Sequence, residues 1–212
     1  MGGRYDARGA DVLLCVCETF VGESVSADVH SSSCAHSHIG RGTHNLLFGL
    51  ADWEEVKNVA YAEVVARDDS QSDTDLIGPR PFGLDTPVLP DSLSIVSWCV
   101  TPTPGVSLTD AVEAARAAGY DPGDVESMSR HTQDGDTLEW ELTPLPTTSP
   151  FPGDGLVPFM IDWGQSTHPS QNSEYGFAFL TAFSLHHPNP DRVTAMLEAL
   201  LPDVDVEVEY TE

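Results

Sequence analysis

Apolar residues recur along this chain in short runs separated by Gly, Pro, Ser and Asp, a pattern that favours strands over long helices. In the first half, three runs predict strands, at Ala10–Cys17, Thr43–Leu50 and Val59–Ala66. Residues 18–42 follow no clean period. The segment Gly78–Pro90 carries four prolines and is predicted to be a linker.

The second half alternates strands and helices more clearly. A helix is predicted from a cap at Ser107 or Thr109 to a stop at Gly119, and Asp191–Leu201 forms a second, amphipathic helix. The predicted strands are Leu93–Thr101, Val125–Arg130, Thr137–Leu142, Leu156–Trp163, Phe177–His186 and Val204–Tyr210.

The order of these elements predicts the fold class. From residue 93 onward they run strand, helix, strand, strand, strand, and a weaker version of this order covers residues 10–75. Two such units side by side predict an α+β fold, in which paired βαβββ modules form a curved mixed sheet with helices on the outside. We place the N-terminal module at residues 1–85, with residues 1–37 atypical, and the C-terminal module at residues 86–212. Together they form one domain, whose sheet the last strand, helix and strand extend or complete.

The chain is strongly acidic. Asp and Glu total 34 against 9 Lys and Arg, which gives a formal net charge of −25 at pH 7. Because the negative charge is spread along apolar-periodic sequence, we interpret it as the solvated surface of a halophilic protein rather than as disorder. Nucleic acid is an unfavourable partner for such a surface, since phosphate binding needs clustered Lys and Arg.

Other global features narrow the function classes. The sequence has no long apolar run and no signal-peptide pattern, so we expect no membrane span and a cytoplasmic location. The four cysteines form no Cys-x-x-Cys pair, and we interpret them as small buried hydrophobes in a reducing compartment. Motifs of nucleotide-binding loops, serine hydrolases and zinc peptidases are absent from the sequence.

Several short motifs occur in a fixed order and resemble those of one family. The run His38-Ile39-Gly40-Arg41-Gly42-Thr43-His44-Asn45, followed by Tyr61-Ala62-Glu63-Val64, resembles the H-x-G-x-G-T-x-N and Y-L-E-I motifs of glyoxalase-like domain proteins. The similarity continues with Ser129-Arg130, Asp134-Gly135, Leu138–Leu142, Pro158–Trp163, His168-Pro169 and His187-Pro188. Over residues 38–206, the chain therefore resembles a member of the vicinal oxygen chelate superfamily.

The resemblance implies a divalent metal, for example Mn, Fe, Zn or Ni, on the concave face of the sheet. There it would chelate two oxygens of a small-molecule substrate. Glu63 and Asp162 are expected at matching places in the two modules, where they would supply carboxylate donors. His38 or His44 would substitute for the histidine ligands of the family.

Two departures from the family pattern leave metal binding open. The first strand of the family begins with Asp-His, whereas Asp11 is followed here by Val12. The strand that opens the second module has Ser97 and Trp98 where a histidine ligand is usual.

Each candidate residue also has a structural interpretation. Glu63 lies between Ala62 and Val64, so alternation points it either to the site or to the acidic surface. Asp162 lies on an otherwise apolar strand, where a buried carboxylate needs a partner or a metal. His44 is either a structural histidine or a general base. The candidates for substrate binding are Asn45, Trp98, Trp163 and His168. The two tryptophans among them could instead serve in packing, which is the more common role of tryptophan on a strand.

Three functional hypotheses follow. The first is a metal-assisted lyase, isomerase or dioxygenase for a small oxygen-bearing metabolite, in which Glu63 or His44 moves a proton. The second is a metal-free protein that binds a small molecule in the same concavity, which the missing histidines favour. The third is an inactive domain that forms a homodimer through its sheet edges.

Overall fold

The computed structural model describes residues 12–17, 36–38, 42–51, 58–68, 70–85, 94–131, 135, 137–147, 150–168, 177–179, 184–202, 204 and 206–212. Most of the atypical stretch 1–37, including the segment where the first module would have its helix, lies outside the described residues.

The described part of the chain contains eleven strands and two α-helices, with short 3-10 turns at Asp73–Asp75, Pro81–Gly83 and Pro152–Gly155. In chain order the elements are β1 (Val12–Cys17), β2 (His36–His38), β3 (Thr43–Ala51), β4 (Asn58–Arg67), β5 (Ser94–Val100), α1 (Leu108–Ala117), β6 (Glu126–His131), β7 (Thr137–Leu142), β8 (Phe159–Asp162), β9 (Phe177–Phe179), β10 (Leu185–His187), α2 (Pro190–Leu200) and β11 (Val208–Tyr210).

One large mixed sheet contains both predicted modules. Its strand order is β2-β3-β4-β1-β5-β8-β7-β6, and β9 pairs with β3. Within the first module β1 is parallel to β4, and within the second β5 is parallel to β8 in the same way. The modules join through the antiparallel pair β1–β5. This arrangement confirms the predicted α+β fold of paired modules.

The C-terminal segment differs from the prediction. The pattern predicts one strand over Phe177–His186, but the structure has two strands there, β9 and β10, in different sheets. β10 pairs with β11 in a separate two-stranded parallel sheet, so these strands do not extend the main one. An apolar run predicts a strand, but the partner of that strand depends on distant sequence.

Both helices cover one face of the second module, which we call the helix face. Ser107 caps α1 by accepting a hydrogen bond from the backbone N–H of Asp110. Trp98 belongs to this face, and its Nε1 donates to the carbonyl oxygen of Leu156 at 2.9 Å. The buried residues that meet there are Trp98, Val100, Met160, Leu108, Val112, Ala115, Val193, Leu197 and Leu200.

The opposite side of the sheet, which we call the Glu63 face, has its own buried cluster. It consists of Tyr61, Cys99, Phe159 and Ile161, with Phe82, Trp140, Leu142, Leu145 and Trp163 packed against it. Strand register explains this set, because Cys99 pairs with Phe159 and Ile161 pairs with Leu142, so their side chains share one face. Residues from both modules therefore meet on the Glu63 face.

A buried arginine fastens the segment that follows β4. The Nε of Arg80 donates to the carbonyl oxygen of Gly42 at 3.0 Å, and its two other nitrogens pair with Asp73 and Asp85 at 2.8 Å each. Arg80 is only 4 % exposed, and we call this group the Arg80 clamp. It holds the segment in which Leu84 packs on Val65 of β4.

The two helices are short relative to a bilayer. In the described part of the chain, no helix has the length and apolar character that crossing a membrane requires.

Candidate ligand site

Glu63 lies in the middle of β4 on the Glu63 face. Across the β3–β4 pair, the Nδ2 of Asn45 donates a hydrogen bond to its Oε1. Burial raises the pKa of Glu63, whereas the hydrogen bond from Asn45 and the charge of Arg130 act in the opposite direction. The site therefore contains a carboxyl group that holds its proton more tightly than an exposed glutamate.

Arg130 approaches the same place from β6 in the second module. Burial lowers the pKa of its guanidinium, while the charges of Glu63 and Tyr61 raise it. In the described part of the chain, Arg130 makes no ion pair with a carboxylate, although Asp partners are found for the three arginines Arg80, Arg116 and Arg192. The site therefore pairs a half-buried cation from one module with a half-buried acid from the other.

Aromatic rings pack together on the same face of the sheet. The ring centroid of Tyr61 lies 6.3 Å from that of Trp163 and 5.5 Å from that of His168, both in edge-to-face geometry. Trp140 and Trp163 lie 5.0 Å apart at an angle of 35°. These rings form an aromatic wall, defined by Tyr61, Trp140, Trp163 and His168.

Several buried polar atoms near the site lack hydrogen-bond partners in the described part of the chain. They are the Nε1 of Trp163, the Oδ1 of Asn45, the Oγ1 of Thr43 and the Nε of Arg67. Thr43 pairs in register with Arg67, and Asn45 is two residues further along β3. A buried polar group without a partner costs about 1–3 kcal/mol, so a ligand atom that bonds to it would be stabilised.

Asp162 does not join Glu63. Alternation along β8 places Ile161 on the Glu63 face and Asp162 on the other side, in register with the exposed Glu141. There the Oδ1 of Asp162 accepts a hydrogen bond from the backbone N–H of Gly164 at 2.8 Å. The residues of β8 that share a face with Glu63 are Phe159 and Ile161, and Ile161 lies one position before the residue that the sequence suggests.

The other predicted site residues divide between the two faces. Asn45, Trp163 and His168 lie at the Glu63 face, as their contacts with Glu63 and Tyr61 show. Trp98 does not, because it is buried in the core under the helices. Two further candidates lie in β2 and β3, with side chains outside the described residues: His38 and His44.

Comparison with known proteins identifies the family. The model of the glyoxalase-like domain matches residues 32–201. The chain belongs to the glyoxalase-like domain family.

A solved structure supports the same fold. The glyoxalase-like domain is similar to the crystal structure of a hypothetical protein from Staphylococcus aureus, with a TM-score of 0.59 and 12% sequence identity. The alignment covers 96% of this chain and 87% of the other. No curated protein matches the chain.

Around Glu63, the side chains that the structure describes do not assemble the metal site that the superfamily implies. The register positions beside Glu63 are Cys15 on β1 and Ser97 on β5, and the matching strand of the second module contributes Ile161. Among the side chains that the structure describes, no three His, Cys, Asp or Glu residues come together as a metal-binding group. Hard divalent metals need several such donors, so the described residues do not fit one.

Sequence reasoning missed three residues of the site in this glyoxalase-like domain. All three lie within motifs that carry the family resemblance: Tyr61, Arg130 and Trp140. A period of two could have identified Tyr61, because it shares a face with Glu63. Arg130 has no such local signal, since only the pairing of distant strands brings it to Glu63.

Proposed function

We propose that this glyoxalase-like domain binds a small organic molecule on the Glu63 face without the help of a metal. The observation that supports the proposal is the position of Glu63, which bonds to Asn45 and lies within electrostatic reach of Arg130. Pockets for small molecules are typically apolar with a few convergent polar groups. The aromatic wall beside an acid and a cation has this character.

Glu63 is also the group that would exchange a proton with a bound molecule. A carboxyl group whose pKa is raised by burial is suited to general acid–base chemistry. Asn45 positions the carboxyl from one side, and its own Oδ1, which has no partner among the residues that the structure describes, could accept a hydrogen bond from a ligand. The domain thus has the means for proton transfer to a bound ligand.

Metal-assisted lyase, isomerase or dioxygenase chemistry has weaker support. It rests on membership of the family and on Glu63, but the second expected carboxylate, Asp162, lies on the opposite face. The expected homodimer and the halophilic character of the acidic surface stay predictions.

The two functions separate in one experiment. Thermal unfolding of the wild type, Glu63→Gln and Asp162→Asn is followed in the presence of a library of small metabolites. A ligand at 100 times its Kd stabilises the folded state by about 2.7 kcal/mol, which raises Tm by about 5–10 °C for a chain of this size. We expect a ligand whose stabilisation is reduced in Glu63→Gln and retained in Asp162→Asn.

Metal analysis of the same three preparations completes the test. Stoichiometric Mn, Fe, Zn or Ni that disappears in Glu63→Gln would contradict the metal-free part of the proposal. Equal loss of ligand binding in both variants would contradict the location of the site, because Asp162 lies on the other face.

A further inference from the structure

We infer that the ligand of the Glu63 face is a small aromatic carboxylate, whose oxyanion is held by the Arg130 guanidinium and the indole N–H of Trp163. This inference rests on the proposed function and adds the chemical class of the molecule.

Arg130 supplies the first argument. The exposed Arg116 already has two carboxylate partners, Asp121 and Asp124, at 2.8 and 2.7 Å. Arg130 is half-buried on β6 and has no ion-pair partner in the described part of the chain. A desolvated cation is stabilised by an anion with hydrogen-bond acceptors, and the fork of a guanidinium matches a carboxylate.

The charge of the whole chain strengthens this argument. With a net charge of −25, the protein repels anions from most of its surface. Binding an anionic ligand therefore needs a local cation that no acidic neighbour already neutralises. A ligand with a single negative charge is favoured over a doubly charged phosphate monoester, because Glu63 lies within electrostatic reach of Arg130 and would repel the additional charge.

Trp163 supplies a buried hydrogen-bond donor on the Glu63 face. Its Nε1 is buried and has no partner in the residues that the structure describes. An indole nitrogen can only donate, so the atom that completes this site must be an acceptor. The ring of Trp163 contacts both Tyr61 and Trp140, and Trp140 belongs to the strand that pairs with β6. The donor therefore belongs to the aromatic wall, which also includes a residue of the strand that pairs with the strand of Arg130.

The aromatic wall accounts for the rest of the ligand. Flat rings pack favourably in edge-to-face or offset geometry at centroid distances of about 4.5–7 Å. Tyr61, Trp140 and Trp163 already use this geometry among themselves. An aromatic ring on the ligand would continue the arrangement, whereas a flexible aliphatic chain would not.

Glu63 is compatible with an anion because its neutral form is favoured by burial. A carboxylate that binds nearby would favour that form further, because it repels the ionised acid. Binding should therefore take up a proton at a pH at which Glu63 is ionised in the free protein. This proton uptake distinguishes the inferred site from a simple apolar cleft.

The test uses benzoate and its neutral analogue benzamide as probes. Isothermal titration is carried out with the wild type, Arg130→Gln and Arg130→Lys, and with Arg116→Gln as the matched control. We expect benzoate to bind at least tenfold more tightly than benzamide. Arg130→Gln should remove this preference, Arg130→Lys should keep part of it, and Arg116→Gln should leave it unchanged. Titration in buffers of different ionisation enthalpy should show proton uptake, which Glu63→Gln abolishes.

The indole N–H gives an independent readout. The chain has four tryptophans, so a nitrogen-15 spectrum can resolve their indole signals, and Trp163→Phe identifies the one of Trp163. Benzoate should shift that signal. If benzamide binds as well as benzoate, or if Arg130→Gln binds benzoate normally, the inference is wrong. If metabolites of other classes still bind through Glu63, the proposed function survives that result.

Discussion

Asn45 donates a hydrogen bond from Nδ2 to the Oε1 of Glu63 across two neighbouring strands. Asn45 is 4 % exposed, so this bond forms away from bulk water. One amide hydrogen bond does not compensate fully for the loss of hydration of a carboxylate, and the net effect of burial raises the pKa of Glu63. The pair therefore links the protonation of Glu63 to the stability of the fold.

The first prediction concerns this link. In the folded chain Glu63 binds its proton more tightly than in the unfolded chain, where its pKa is near 4.5. Its ionisation therefore weakens folding as the pH rises from 4.5 through the raised pKa, by about 1.4 kcal/mol for each unit of the difference. Glu63→Gln cannot ionise, so it should become more stable relative to the wild type over this window. Urea unfolding at a series of pH values measures the difference.

The control for this prediction is Asp162→Asn. It also removes one carboxylate from the chain, but from the opposite face of the sheet. Its side chain can still accept the hydrogen bond from Gly164. The prediction is wrong if the stability of Glu63→Gln relative to the wild type stays constant or falls as the pH rises. Burial would then not raise the pKa of Glu63.

The second prediction compares Trp98 with Trp163, which the sequence predicts equally as candidates for substrate binding. Trp98→Phe removes the hydrogen bond to Leu156 and leaves a gap in the core, so it should destabilise the fold by about 1–3 kcal/mol. Ligand binding by the folded variant should not change. Trp163→Phe removes an indole nitrogen that has no partner among the described residues, so it should affect binding more than stability. Urea unfolding and ligand titration of both variants measure the two effects, and the reverse result would contradict the assignment of the faces.

The fold could be predicted from the sequence because its signals are local. Alternating apolar residues identify strands, and the order of elements from Leu93 onward identifies one module. The choice of face is different, because a shift of one residue moves a side chain to the other side of the sheet. Asp162 is an example: its neighbour Ile161 shares the buried cluster with Tyr61. Only the pairing of β8 with β5 and β7 decides between these two neighbours.

The candidate site was predictable only where its residues lie in recognisable sequence motifs. Glu63 could be chosen from a family motif, and Asn45 came from another motif on the adjacent strand. Arg130 and Trp140 reach the site through the docking of the two modules, which depends on packing over the whole sheet. Local sequence does not determine that packing. The position of Arg130 and the extent of the aromatic wall could therefore not be predicted from it.

The third prediction tests the Arg80 clamp. Arg80→Lys keeps the positive charge but loses the planar fork that reaches Gly42, Asp73 and Asp85 together. The guanidinium is buried although Asp73 and Asp85 are exposed, so leaving part of its hydrogen bonding unsatisfied should cost about 1–3 kcal/mol. The matched control is Arg116→Lys, which also contacts two Asp residues but is exposed. Because its ion pairs are exposed to solvent, it should change the unfolding free energy much less than Arg80→Lys. Equal effects of the two substitutions in urea unfolding would contradict a special role for the clamp.

The fourth prediction concerns the backbone that accepts the hydrogen bond of Arg80. Gly42 has a φ of +63°, and a Cβ at this position would lie 2.7 Å from the Nε of Arg80 and 2.8 Å from a methyl carbon of Leu76. Gly42→Ala should therefore combine a left-handed backbone penalty of about 1–2 kcal/mol with a steric penalty of about 1–3 kcal/mol. Gly164 has a similar φ of +54°, but a Cβ there would meet no atom within 4 Å, so Gly164→Ala should show the backbone penalty alone. The difference between the two variants in urea unfolding measures the steric part.

The steric penalty of Gly42→Ala should shrink when the substitution is made in an Arg80→Ala background, because the shortened side chain makes room for the new methyl group. A difference that persists unchanged in the double variant would place the strain elsewhere than at the contact between Gly42 and Arg80.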